Sequence, residues 1–223
     1  LILTAFVGHG HQDVFMIAGI IGAIAARSRG KWCLMFLFLG LAIQVKYFPI
    51  LIVPLFINRV NWRKSWIVLA VGLGPLLPFL FKDGMSVFAS FRDFGHAFTF
   101  NSSIHALVML MTRNIHFATV VCEVMFFLIW LMIMIKLHPA RSTGTSLEIS
   151  TLSTIVFCAY FLLLPTVHSW YLTILLALTV LRNFRSVIML STTISLTYIA
   201  SGFLLNTGRW EFPLLAQYLI WGP

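Results

Sequence analysis

Residues 32–57 read WCLMFLFLGLAIQVKYFPILIVPLFI, an apolar run with one cation, Lys46, near its middle and Tyr47, Phe48 and Pro49 directly after it. A helix crossing the roughly 30 Å of bilayer hydrocarbon needs about 20 apolar residues. The run is therefore either one long tilted helix or a hairpin of two short helices, 32–45 and 48–57, with Lys46 at the tip. An ionisable side chain inside a membrane segment costs roughly 2.5–3.5 kcal/mol on insertion scales. Lys46 thus either snorkels to an interface or binds an anion, a task that suits an ammonium as a point charge.

The rest of the chain shares this character. Of 223 residues, 60% are apolar and only 9% charged, against about 25% charged in an ordinary soluble domain. So few charges cannot solvate a globule's exterior, and so much hydrophobicity excludes disorder. An all-α, polytopic transmembrane helical bundle with short, broken helices remains. The long runs are helices because an open sheet edge is not tolerated in lipid. The clear spans are 65–81, 115–137, 147–164 and 186–206, and shorter runs cover 14–26, 104–111 and 170–181. Gly74-Pro75 and Pro78 kink the first, and Pro165 stops the third. The whole of 1–223 reads as a single transmembrane module, with an aromatic-rich, non-cytoplasmic loop at 82–103. The chain starts at Leu1 and ends on the apolar run 212–221, as a fragment of a longer protein would.

The net charge of +9 is concentrated in clusters between apolar runs: 27–31, 59–64, 136–141 and 182–185. Such clusters read as cytoplasmic anchors rather than as a nucleic-acid surface. With the hairpin, ten Lys/Arg lie on that side and five on the other; one long helix would spoil the bias, and the hairpin is preferred. Gly8–Asp13, Lys46, the 82–103 loop, His168 and the Arg209/Glu211 pair then converge on the non-cytoplasmic face.

Each of these has an ordinary reading beside the functional one. Asp13 suits a helix N-cap, whereas His9 and His11 call for a polar substrate corner or, less readily, a metal. Trp170 is an ordinary interfacial aromatic, and Arg209 with Glu211 makes a simple ion pair. Cys33, Cys122 and Cys158 have neither metal nor disulfide spacing. Among the six acids only Glu123 is mid-helix, which is sparse for a proton-coupled transporter. No phosphate loop, D-x-D pair or nucleophile elbow is present. A transporter or lipid flippase, or a non-catalytic fragment, stands as the alternative to an enzyme.

Four motifs, in order over about residues 5–181, carry a resemblance to the GT-C membrane glycosyltransferases. Gly8-His9-Gly10-His11-Gln12-Asp13 resembles their GHND-type corner, with Gln12 in place of Asn. Gly40-Leu41-Ala42 through Lys46, Pro49 and Pro54 is similar to their G-L-A-x-x-x-K-x-x-P-x-x-x-x-P hairpin. Phe98–Ser103, FTFNSS, is similar to their fNss element. Pro165 with His168-Ser169-Trp170-Tyr171 resembles P-x-x-H-P-W-Y, with Ser169 replacing Pro. The likeness is greatest to glycosyltransferase family 87, near polyprenyl-phosphate-mannose-dependent mannosyltransferases. That resemblance implies transfer of a hexose, mannose above all, from a polyprenyl-phosphate donor to a lipid or glycan acceptor, with inversion at the anomeric carbon. The family's catalytic acid lies in an N-terminal loop upstream of Gly8, so Asp13 becomes either a substitute base or a substrate-orienting residue. Lys46, His168, His9 or His11, and Arg209 become phosphate-binding candidates, and Asn101 and Tyr171 sugar-binding ones. No metal or other cofactor is implied; the lipid-linked sugar is a co-substrate. The setting would be a plasma (inner) membrane if bacterial, or the endoplasmic reticulum if eukaryotic.

Overall fold

A computed structural model of the chain describes residues 12–89, 99–138, 144–179, 185–198 and 214–221. Among them the architecture is all-α, without a strand. Helix α1 spans Asp13–Ser28 and α2 Trp32–Val45. A 3-10 turn, Phe48–Ile52, leads into the short α3, Val53–Phe56. Then come α4, Trp66–Gly72, and α5, Leu77–Asp83, followed by α6, Ile104–Thr112, α7, Ile115–Lys136, and α8, Ser146–Leu163. The chain continues through the 3-10 turn Ser169–Leu172 into α9, Thr173–Thr179, then α10, Arg185–Thr193, and α11, Leu214–Trp221. Among the described residues, three stretches are long and apolar enough to cross a membrane: Trp62–Ser86, Ile115–Lys136 and Ser146–Leu163.

Helix ends follow local chemistry. Asn114 accepts at Oδ1 from the Phe117 amide, 3.1 Å, and so caps α7. Thr145 accepts at Oγ1 from the Glu148 amide, 3.2 Å, in a T-x-x-E start for α8. Helix α8 ends at Leu163 because Leu164 precedes Pro165, whose ring disfavours helical backbone before it. The run expected at 65–81 is broken, as the Gly74-Pro75 pair foretold, by the 3-10 turn Gly74–Leu76. Pro75 has no N–H to give the carbonyl four residues back, at Val71; the Gln44 amide side chain donates to that oxygen instead. The run expected at 186–206 holds α10 and a 3-10 turn, Ile194–Tyr198, and 199–206 lie outside the described residues. Within the 82–103 loop, Gly84–Phe88 forms a 3-10 turn, and 90–98 lie outside the described residues.

Residues 32–57 fold back on themselves. Lys46 is extended, φ −149° and ψ 143°, and breaks the helix there. Both ends of the run meet Arg27. Its guanidinium lies 5.9 Å from the Trp32 ring centre and donates to the Phe56 carbonyl, 3.0 Å, and to the Gly144 carbonyl, 3.2 Å. Lys46 is thus the hairpin tip, roughly 20 Å from Trp32 at 1.5 Å per residue of α2. Arg27, expected as a solvated loop anchor, is instead buried, 8% exposed. Arg29, Lys31, Arg59, Arg63, Lys64 and Lys136 are exposed around that same end.

The core is a single apolar cluster. Met16 and Ile20 of α1, Leu39 of α2, Phe48 and Phe56 of the return arm, Phe157 and Phe161 of α8, and Leu175 of α9 belong to it. Phe48 stands with its ring edge-on to Phe157 at 5.5 Å and to Phe161 at 5.7 Å. The hairpin tip is thereby fixed against α8.

Candidate functional site

Asp13 opens α1, one residue inside its N-cap Gln12. The capping reading of Asp13 is corrected on that point: Gln12 holds the cap position, and the Asp13 Oδ1 lies 2.6 Å from Lys46 Nζ. Asp13 is 1% exposed and Lys46 25%, so the acid is buried behind the cation. A buried carboxylate without a partner is strongly unfavourable, and here a residue 33 positions later supplies the partner. Lys46 Nζ also sits 4.5 Å from the Tyr171 ring centre and 6.0 Å from that of Phe48, a cation–π cradle.

Tyr171 belongs to the corner after Pro165. There the His168 ring stacks on Trp170 at 4.3 Å and 6°, and meets Tyr171 edge-on at 5.5 Å. The His168 ring also lies 5.3 Å from that of Phe100. Two backbone bonds join the 99–103 segment to this corner: the Phe100 amide donates to the Pro165 carbonyl, 3.1 Å, and the Val167 amide to the Phe100 carbonyl, 2.9 Å. They form an isolated parallel bridge between Phe100 and Thr166. Next to it Asn101 adopts the left-handed conformation, φ 49°, which asparagine tolerates better than most side chains. Its Nδ2 donates to the Val167 carbonyl, 3.3 Å, and its Oδ1 accepts from the Trp221 indole, 2.9 Å. Asn101 is buried, with both ends of its amide engaged by the protein.

Asp13, Lys46, Asn101, His168 and Tyr171 therefore gather at one end of the bundle, opposite Arg27. His9, His11 and Arg209 lie outside the described residues. Among the described residues no three His, Cys, Asp or Glu side chains gather as a metal site would require.

Beside Lys46 opens a cavity of about 890 Å³. Its walls come from the ends of α2 and α4, from α5, α7 and α8, and from the Pro165–Tyr171 corner. They are mostly apolar: Leu73, Leu76, Phe79, Phe126 and Leu164 among them. A few polar groups interrupt the lining. Lys46 and Tyr171 stand there with Gln44, Thr119, Glu123 and the Tyr47–Tyr160 pair, whose hydroxyls are 3.2 Å apart. The sequence reading missed Tyr47 and Tyr160, and recorded Glu123 without a site. Tyr47 adjoins Lys46 in sequence, which was a usable signal; Tyr160 offered none.

This arrangement can hold an amphipathic ligand, with its chain against the apolar wall and its anionic head at Lys46. A helical bundle with three spanning stretches and an extended apolar surface is an integral membrane protein, and its cleft marks a binding or catalytic one. A family model for glycosyltransferase family 87 matches residues 3–166, which take in both Asp13 and Lys46. The chain belongs to that family and is a membrane glycosyltransferase. No curated protein and no solved structure matches it.

Proposed function

We propose that this chain carries the donor site of a hexosyltransferase that uses a polyprenyl-phosphate sugar, with mannose the favoured hexose and a glycan or lipid the acceptor, at the non-cytoplasmic face. The observation that carries the reading is Lys46, a cation a quarter exposed at the mouth of an apolar cavity and held there by Asp13 at 2.6 Å. A polyprenyl phosphate has that same polarity: a long apolar tail and a compact anionic head.

In this reading the acceptor oxygen bonds to the anomeric carbon from the face opposite the phosphate. The anomeric carbon–oxygen bond breaks, and its electron pair leaves on phosphate. Charge grows on that phosphate as the bond lengthens, so a fixed ammonium stabilises the transition state more than the bound donor. Asp13 holds the ammonium in place, an orienting role that fits its burial better than proton abstraction. His168, whose ring meets Tyr171 edge-on at 5.5 Å, is a second phosphate contact; His9, His11 and Arg209 stay candidates for the same head group. Tyr171 offers its hydroxyl to the sugar, while Asn101, its amide spent on Val167 and Trp221, shapes the sugar pocket through the backbone.

Membranes containing the full-length protein, supplied with labelled polyprenyl-phosphate mannose, test the reading. Lys46→Ala should lower transfer by at least two orders of magnitude while membrane insertion persists, as expected for loss of one preorganised electrostatic contact. Normal transfer by Lys46→Ala and by His168→Ala would refute the site.

A further inference from the structure

The end of the bundle remote from Lys46 is built from two turns that share one carbonyl. Helix α1 runs into the first, 28–31, where Gly30 takes φ 66°, a conformation that favours glycine. The second, 57–65, follows α3, and its two asparagines lock each other. Asn58 accepts at Oδ1 from the amides of Val60, 2.9 Å, and Asn61, 3.0 Å. Asn61 accepts at Oδ1 from the Asn58 amide, 2.8 Å. Asn61 is fully buried, and its Nδ2 donates to the Phe56 carbonyl, 2.9 Å. The same oxygen accepts from the Arg27 guanidinium, 3.0 Å. One carbonyl therefore ties the two turns together, and both are shaped before any partner arrives.

These turns present cations and apolar side chains together. Arg29 and Lys31 are exposed on the first, and Arg59, Arg63 and Lys64 on the second. Among the described residues none of these five cations is in an ion pair, and the sequence holds no Asp or Glu from residue 14 to residue 82. Among the cations of the second turn, Val60 is 76% exposed and Trp62 55%, with Trp66, at the start of α4, 63%. The Arg63 guanidinium carbon lies 5.5 Å from the Trp62 ring centre, so cation and indole are displayed side by side. A soluble anion would satisfy the cations and leave Val60, Trp62 and Trp66 in water. Indoles favour the headgroup layer of a bilayer, where lipid phosphate is dense, and a lipid satisfies both kinds of side chain. The topological bias asks only for cations on this side, not for a turn locked by buried Asn61.

We infer that the two clasped turns form a binding site for an anionic phospholipid of the leaflet that this end faces. The cations take its headgroup, guanidinium forks being matched to phosphate oxygens, and Val60, Trp62 and Trp66 meet its apolar part. The site selects net negative phospholipid over zwitterionic phospholipid. A zwitterionic headgroup brings its own ammonium among five cations, and neither turn carries a carboxylate to receive it. The inference does not rest on the donor reading: the turns lie at the opposite end of the hairpin from Lys46.

Full-length protein in phosphatidylcholine vesicles tests it, with part of the lipid exchanged for chain-brominated phosphatidylglycerol or chain-brominated phosphatidylcholine. Bromine quenches nearby tryptophan, and the difference between each protein and its Trp62→Phe counterpart isolates the signal of Trp62. In the wild type that signal should be half-quenched at about tenfold less brominated phosphatidylglycerol than brominated phosphatidylcholine, as expected when several cations face an anionic surface. The triple variant Arg59→Gln, Arg63→Gln, Lys64→Gln, changed only at exposed positions, should bring the two lipids to the same curve. Lys136→Gln, which removes a cation exposed at the same end but outside both turns, should keep the preference. Equal quenching by both lipids in the wild type, or a triple variant that keeps the preference, would overturn the site. An equal loss in Lys136→Gln would overturn it as well, by reducing the preference to a diffuse basic bias. Inorganic phosphate that abolishes the preference, where sodium chloride of equal ionic strength does not, would assign the cations to a soluble anion and overturn the lipid.

Discussion

Lys46 and Asp13 constrain each other more tightly than either is constrained by sequence. The lysine was legible as an anomaly, because a cation inside an apolar run demands a partner or water. Which acid answers it was not legible, since nothing local joins residues 13 and 46. Their pairing predicts strong non-additivity. Lys46→Met leaves a carboxylate that is 1% exposed without compensation and should destabilise the fold by about 3–5 kcal/mol. Adding Asp13→Asn to Lys46→Met should restore most of that loss, because the double variant buries a neutral amide. Thermal unfolding of the detergent-solubilised proteins measures both, and simple addition of the two single effects would show that the pair is not coupled. Asn101 teaches a different lesson. Its element resembled a family motif, but the need for asparagine there is a backbone one: φ of 49° and two partners, Val167 and Trp221, that no short-range pattern announces.

Among the helices, small residues govern close approach. The hairpin's first arm was readable from its length and its stop at Lys46. The reason for Gly40 and Ala42 was not, because packing faces depend on neighbours chosen by the whole chain. A Cβ on Gly40 would fall 2.7 Å from the Val71 Cβ, and one on Gly19 would fall 2.9 Å from the Phe38 carbonyl oxygen. Gly40 and Gly72 face each other's helices and let α2 and α4 approach closely, as small residues do in membranes. Part of the glycine-leucine-alanine signature is therefore steric rather than chemical. The approach also brings Gln44 to the Val71 carbonyl that Pro75 leaves without a donor, so the break in α4 is tolerated because α2 is near. Gly40→Val should force the two helices apart and lower stability by about 1–3 kcal/mol, the usual range for overpacking. It should also perturb the cavity at Gly72 and Leu73, raising KM for the donor more than it lowers kcat. Unchanged stability in a thermal unfolding series would mean that the helices yield without loss.

At the scale of the molecule the two ends are chemically opposite, and this polarity was the most readable property of the sequence. Basic clusters placed Arg27–Lys31, Arg59–Lys64 and Lys136 together, and the hydrogen bonds of Arg27 to Phe56 and Gly144 bring their elements to one end. The opposite end holds Asp13, Lys46, Asn101 and the His168–Tyr171 corner. What pattern reading overlooked is that Arg27 serves the interior: its guanidinium ties α1, the return arm of the hairpin and the start of α8 into one unit. Length and hydropathy cannot distinguish such a clasp from a solvated anchor, because the difference lies in which carbonyls happen to be left unpaired nearby. The polarity makes a topological prediction. Trp62–Ser86 is a 25-residue stretch long enough to cross the bilayer, with Arg63 and Lys64 at one end and Ser86 at the other. In a protein whose exposed Cys33 is replaced by Ser, single cysteines at Lys64 and at Ser86 should react with a membrane-impermeant maleimide from opposite sides. Lys64→Cys should label from the cytoplasmic face, following the basic bias, and Ser86→Cys from the face where the donor site is proposed. Labelling of both from one side would bend the broken α4–α5 stretch back on itself, return the cavity mouth to the cytoplasm, and exclude a lipid-linked donor presented at the outer leaflet.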